Sequence, residues 1–338
     1  MNLIISFTKD GNILGEKIVG FLESKHIKSS EYKKDIKDYI KENWEKLNSI
    51  VFISSTGIAI RYIKDFIISK DIDPAVIVID QKGKFVISLL SGHLGGANEL
   101  CNFLSEKLNS TPVITTATDL QGIESVDVYS KKHNLEIENL KNIKDISKLM
   151  LENKKVGFYS EISLPTIKYK NIVKINSLEN LENLEGLIVI SNKILEKPKI
   201  PNITLRPKNI VVGIGCRKNT IKEKIVKAVN SELKRLNLSK LSIYKFATID
   251  VKKDEIGIIE TAKEFNRELK IFTTEEVSKV DHLFKKSQFV KDTIGVYSVS
   301  EPVCHLLGGE ILSGKEKYQG ITISIGVIKK WKNCMLLE

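Results

Sequence analysis

Cysteine is scarce in this chain of 338 residues: Cys101, Cys216, Cys304 and Cys334 stand far apart, with no Cys-x-x-Cys pair. A disulfide framework and a cysteine-based zinc site are thereby excluded, and reduced, mostly buried thiols are expected. No apolar run approaches the ~18 residues of a membrane-spanning helix, so no membrane partner is expected. The stretch Met1–Phe7 is too short for a signal peptide and lacks a basic flank. It reads as a first strand, and a cytoplasmic location is the expectation. Proline is sparse as well, and Pro198, Pro201 and Pro207 crowd into 193–208, which reads as a linker because each proline disfavours helix and central strand. Neither clustered arginines nor aromatic stacking strips are present, so a nucleic-acid partner is not expected.

What the chain does have is a globular composition, 42% hydrophobic, and a formal net charge of +11. The length suffices for two or three domains with real cores. The lysines are scattered among glutamates, as in Glu31–Asp38. That spread reads as solvated helix faces or biased codon composition, and equally as a potential that steers in a polyanionic small substrate. Charge alone does not choose among these.

Apolar runs at 2–7, 50–53, 75–79, 85–90 and 112–115 read as strands, with helical spacing between most of them, including a helix over Tyr32–Leu47. Gln81–Lys84 reads as a hairpin-type turn. The fold class is therefore α/β, two or three domains with mainly parallel sheets flanked by helices. The expected division is 1–125, a small central α/β region with the linker over 126–208, and 209–338.

The stretch that organises the chain is Phe85–Glu99. A short apolar strand runs into Ser91-Gly-His-Leu-Gly-Gly-Ala-Asn98, and an apolar helical face follows through Leu100, Phe103, Leu104 and Leu108. A glycine-rich turn between strand and helix lets backbone N–H groups approach an anion, and the helix dipole adds positive potential. Ser91, Gly92, His93, Gly95, Gly96 and Asn98 sit together there, so carboxylate binding and acid–base chemistry can share one loop. The spacing is neither Gly-x-Gly-x-x-Gly nor a Walker loop, which argues against dinucleotides and nucleoside triphosphates. Other strand ends deliver Thr56, Gly57, Asp80, Thr116 and Asp119, and in open α/β sheets ligands gather at carboxyl ends of strands. Singly, such residues are as well explained as caps.

A second unit starts at Asn209. Its first strand ends in Gly215-Cys-Arg-Lys-Asn-Thr220, where Arg217 suits bidentate carboxylate binding and Thr220 with Glu223 has capping-box spacing. Ser298, Ser300 and Glu301, before a further helix, are placed to share a crevice with Arg217.

Four segments carry a resemblance: Ser55–Arg61, Asp73–Asp80, Phe85–Asn98 and Val212–Thr220, joined by Phe246–Asp250 and Gly295–Glu301. Together they resemble the cobalt-precorrin-5A hydrolase family (CbiG) of anaerobic cobalamin biosynthesis. The likeness covers nearly the whole chain and is weakest over 126–208. It implies a polyanionic cobalt tetrapyrrole substrate, bearing a lactone made from a ring A acetate. Water opens the lactone and a two-carbon fragment leaves as acetaldehyde. It also implies no cofactor of the protein's own and no metal site, since cobalt comes with the substrate, and other corrinoid-pathway enzymes as partners. A tetrapyrrole carrier is the alternative. Within this reading His93 is the general base, because imidazole titrates near neutral pH. Gly95 and Gly96 N–H groups with Ser91 would hold an oxyanion or a carboxylate. Thr56, Gly57, Arg61, Gly215 and Arg217 would bind peripheral carboxylates. Glu99 is a second candidate base, although a first-turn acid is also explained by the helix dipole. A Ser91 acyl-enzyme is the other route.

Overall fold

The computed structural model describes residues 1–69, 72–117, 121–196 and 198–329. They form two compact units, one of residues 1–131, 150–153 and 167–171, the other of the remaining residues.

In the first unit the elements follow as β1 (Asn2–Ser6), α1 (Lys9–Val19), β2 (Ser24–Lys28), α2 (Ile36–Asn43), β3 (Ser49–Ile53), α3 (Thr56–Ile63), β4 (Ala75–Ile79), β5 (Phe85–Leu90), α4 (Ala97–Leu108), β6 (Thr111–Val113) and α5 (Val126–Lys132). The sheet order is β2-β1-β3-β4-β5-β6. Side chains alternate across a strand, so the continuous apolar runs feed both faces of this sheet. Leu3, Ile5, Ile50, Phe52, Val76 and Val78 pack under α2 and α3 through Ile36, Ile40, Ala59 and Ile63. Ile4, Val51, Ile53, Ile77 and Ile79 pack under α1 and α4 through Ile18, Ala97, Cys101 and Leu104.

One pairing sets the geography. β1, β3 and β4 are parallel, but β5 runs antiparallel to β4, with Ile79 opposite Val86 and Val76 opposite Leu90. β6 then follows the direction of β5. The carboxyl ends of β5 and β6 therefore lie at the edge of the sheet opposite to those of β1, β3 and β4.

The second unit carries two five-stranded sheets. β7 (Leu135–Ile137), α6 (Asn142–Leu151), β8 (Val156–Ser160), β9 (Ile172–Ile175), β10 (Gly186–Ile190) and β11 (Asn202–Pro207) give the order β7-β11-β10-β8-β9. The stretch read as a linker thus contains a strand. β11 pairs with β10 and β7, and Pro207 is tolerated because it is the last residue of the strand. Arg206, buried, holds the neighbouring loop by donating to the carbonyl of Ser191 at 2.8 Å and to Glu138 at 2.7 Å.

Next come β12 (Ile210–Cys216), α7 (Lys222–Arg235), β13 (Ile243–Ile249), α8 (Ile256–Glu264), β14 (Glu268–Phe272), α9 (Thr274–Ser278), α10 (Gln288–Ile294), α11 (Ser300–Leu306), β15 (Glu310–Tyr318) and β16 (Ile321–Val327), with sheet order β14-β13-β12-β16-β15. Helices α7 and α8 cover one face, while Val299 and Val303 at α11 cover the other. α11 comes so close to β12 that a side chain at Gly213 would overlap the Ser300 carbonyl and stand 2.9 Å from Val303. The α/β class with mainly parallel, helix-flanked sheets is what the chain adopts.

Several expected boundaries move. The helix expected over Tyr32–Leu47 is α2 and a short 3-10 turn. It starts only at Asp35, whose side chain caps Lys37 N–H at 2.6 Å. Two edge strands with few apolar residues, β2 and β15, were not anticipated. The Thr220–Glu223 capping box does not form: Ile221 is the N-cap residue, and the Thr220 hydroxyl donates instead to the Arg217 carbonyl at 2.7 Å.

Glu232 on α7 is fully buried. It accepts from Arg235 at 2.6 and 3.0 Å, from Tyr318 Oη at 2.8 Å and from Ser313. Burial pushes its carboxyl up, but these donors outweigh burial and hold it below the ordinary value of 4.5. Glu232→Ala should therefore lower stability by about 2–3 kcal/mol in urea unfolding, the low end for a broken buried pair because Arg235 is half-exposed. The wild-type contribution is present above pH 4.5 and is lost as pH falls through the depressed folded value, and Glu232→Ala should flatten that acid limb.

Candidate active site

The loop 91–96 is built by its own backbone. Ser91, the first residue after β5, has φ 57°, a conformation that reverses the strand. Its carbonyl accepts from Ala97 N–H at 3.1 Å, that of Gly92 from Asn98 N–H at 2.9 Å, and that of His93 from Gly96 N–H at 3.0 Å. The first turn of α4 is thus capped by the loop. The N–H groups of Gly96, Ala97 and Asn98 are thus engaged by loop carbonyls, Gly96 being one of the two expected to hold an anion. Two glycines are required here. Gly96 has φ 83°, and a side chain at Gly95 would stand 2.9 Å from the Ser91 carbonyl and closer still to its Cβ. The Ser91 hydroxyl is buried and without a hydrogen-bond partner, so it offers no face for nucleophilic attack. Asn98 ties the loop to its neighbours, accepting from Ser88 at 2.7 Å and donating to Thr116 at 3.1 Å.

His93 is the loop's chemical group. Its side chain is 16% exposed, and its Nδ1 stands 3.4 Å from Asp127 Oδ2 and 3.3 Å from Ser125 Oγ. Asp127 and Ser125 come from the start of α5, in the same unit. Burial pushes the Asp127 carboxyl up, yet hydrogen bonds from His93 and Ser125 outweigh it and hold the group below the ordinary carboxylate range. At neutral pH the pair therefore includes an ionised, buried carboxylate. Glu99 lies elsewhere: it is exposed and faces Lys131 of α5 at 3.7 Å.

The remaining expected residues separate. Thr56, Gly57 and Arg61 follow β3 and so lie at the opposite edge of the sheet from His93. Five-residue strands at about 3.3 Å per residue put roughly 15 Å between the edges. The single pocket expected at the strand ends therefore does not form, because the hairpin at 81–84 reverses β5. Arg61 is exposed, bonds only the Gly57 carbonyl at 3.4 Å, and makes no ion pair among the described residues. Asp119 lies outside the described residues. In the second unit Arg217 is exposed beside Gly320, whose carbonyl accepts from its N–H at 3.1 Å. Gly215 gives room to Thr322, whose hydroxyl donates to its carbonyl at 3.1 Å. Ser300 is fully buried against Ser324 at 2.8 Å, and Glu301 is buried beside Ser298 at 3.4 Å. Among the described residues no group of three His, Cys, Asp or Glu side chains is placed to hold a metal.

Sequence reasoning missed Asp127 and Ser125. They lie in a stretch with no recognisable motif, and only the tertiary fold brings them to His93.

The α/β fold thus carries a histidine on a strand-to-helix loop, backed by a buried carboxylate. The chain belongs to the CbiG family. Models described as cobalamin synthesis G N-terminal, cobalamin biosynthesis central region and cobalamin synthesis G C-terminus match residues 38–119, 124–207 and 210–326. The chain is 35% identical to a cobalt-precorrin-5A hydrolase of Salmonella typhimurium, covering 82% of each chain. It is 31% identical to one of Priestia megaterium, covering 84% of this chain and 80% of the relative. A crystal structure of a cobalamin biosynthesis protein G homolog from Sulfolobus solfataricus is 26% identical, with a TM-score of 0.42 over 97% of each chain.

Gly95→Ala should cost about 1–3 kcal/mol, read as a lower urea midpoint, because the added methyl meets Ser91 within the loop. Gly57→Ala, whose added methyl would meet only the flexible end of Arg61 at 3.6 Å, should cost less.

Proposed function

We propose that this chain is a cobalt-precorrin-5A hydrolase. It opens the ring A acetate lactone of a ring-contracted cobalt tetrapyrrole with water and releases acetaldehyde, giving cobalt-precorrin-5B. The observation that carries the reading is family membership over three consecutive segments of the chain, with relatives of that name above 30% identity. The His93–Asp127 pair supplies the acid–base group that the chemistry requires.

The steps follow from that group. His93 takes a proton from water as the new C–O bond forms at the lactone carbonyl. The ester C–O bond then breaks, and the proton passes to the leaving alkoxide, which leaves a carboxylic acid and a hydroxyl. In the second stage His93 takes the hydroxyl proton. The C–C bond to the ring breaks, its electron pair enters the macrocycle, and the two carbons depart as acetaldehyde; a proton returns to the macrocycle. Arg61 and Arg217 are exposed and make no ion pair among the described residues, and each guanidinium suits a peripheral carboxylate within its own unit. No cofactor of the protein's own belongs to this reading, since cobalt arrives with the substrate. Corrinoid-pathway enzymes as partners and a cytoplasmic location complete it.

Anaerobic mixing of the protein with the cobalt lactone should release one acetaldehyde per macrocycle. His93→Ala should slow release by about 10²–10⁴-fold, the usual worth of a general base. Substrate binding with no release by the wild type would assign a carrier instead. Equal release by His93→Ala would remove His93 from the mechanism.

A further inference from the structure

We propose that Asp127 is a positioning residue for His93: it holds the proton on Nδ1, making Nε2 the nitrogen that accepts protons during turnover. The proposal rests on the hydrolase reading for its catalytic consequence, and on geometry alone for the state of the imidazole.

An ionised Asp127 favours one arrangement of the imidazole. An ionised carboxylate only accepts hydrogen bonds, and Asp127 Oδ2 stands 3.4 Å from Nδ1. The ring must therefore present N–H there, because the other tautomer would set a lone pair against a carboxylate oxygen. The Ser125 hydroxyl, 3.3 Å from the same nitrogen, can accept from that N–H alongside the carboxylate. Asp127 is itself fixed: its Oδ1 accepts from Val128 N–H at 3.1 Å, and it is 3% exposed.

Helix α5 is anchored across the loop as well as beside the ring. Tyr129, fully buried, donates its N–H to the Ser125 carbonyl at 2.9 Å. Lys131, four residues after Asp127 and so on the same helical face, reaches Glu99 at 3.7 Å and lies next to Gly96. These are charged groups that α5 and α4 bring to the loop. The segment before β4 contributes Asp73, whose carboxylate faces away, accepting from Trp44 Nε1 at 3.2 Å and Ile68 N–H at 2.9 Å. Asp127 is thus the one carboxylate directed at the imidazole among the described residues.

When His93 takes a proton at Nε2, the imidazolium forms against a charge already in place and already dehydrated, so little reorganisation accompanies the transfer. Removing that charge has two separable effects. It frees the ring to adopt the unproductive tautomer, and it lowers the proton affinity of the imidazole.

The test uses full-length protein labelled with ¹⁵N-histidine, each signal assigned by substitution of one of the five histidines. In the wild type, near pH 8, His93 should show a protonated Nδ1 and an unprotonated Nε2. Asp127→Asn should give a mixture of tautomers, lower the His93 midpoint by about one pH unit, and reduce kcat for acetaldehyde release by about 10²-fold with little change in KM. The acid limb of its pH–rate profile should move down with the midpoint. Asp127→Glu should recover part of kcat. A protonated Nε2 in the wild type overturns the proposal whether or not the variants fold. So does an Asp127→Asn variant with unchanged tautomer and pH profile. If wild-type protein releases no acetaldehyde, the hydrolase reading fails by itself, and the tautomer measurement still decides the role of Asp127.

Discussion

The carboxylate of Asp80 accepts hydrogen bonds from the N–H groups of Lys82 at 2.9 Å and Phe85 at 2.7 Å, and Gly83 closes the turn with φ 66°. This reversal makes β5 antiparallel to β4, and the position of the site depends on it. Had the chain crossed over instead, the loop after β5 would stand beside the loop after β3, and Arg61 would border His93. Reversal sends the histidine loop to the edge where β4 begins. There α5 covers it, and Ser125 and Asp127 meet the imidazole.

The loop shows how local backbone needs and chemistry are reconciled. A left-handed Ser91 and an unsubstituted Gly95 let two loop carbonyls cap α4, so its first two N–H groups, those of Ala97 and Asn98, need no anion. The residues that look like an anion cradle are in this respect structural. The loop's imidazole is one partly exposed ring, and its environment includes residues that follow it by more than thirty positions. A buried carboxylate is costly unless donors surround it. Asp127, like Glu232 in the second unit, has them, and both are held ionised.

Much of this was legible from the order of residues. Continuous apolar runs of four to six residues separated by helical spacing led to sheets covered on both faces, as with Leu3 and Ile5 facing one layer and Ile4 the other. The reversal at 81–84, the glycine-dependent strand-to-helix loop and His93 as its titratable group were also readable, because turn chemistry and short-range spacing are local properties. Two of the edge strands were not, although the edge strand β6 was. β2 and β15 bury little apolar surface, and so carry no alternation to detect. β11 was obscured by prolines that prove tolerable at and before its ends.

What only the tertiary structure decided is which local features share a site. The hairpin at 81–84 reverses one strand, but Thr56 and His93 lie on opposite edges only because β3 and β4 are also parallel neighbours, a pairing that the order of residues does not state. Nor does it single out Asp127 from the other acidic residues, because its burial and its place 3.4 Å from the imidazole both belong to the packed chain. The sequence by itself determined the layers, the loop and the histidine, which depend on neighbours along the chain. The partner of that histidine depends on neighbours in space.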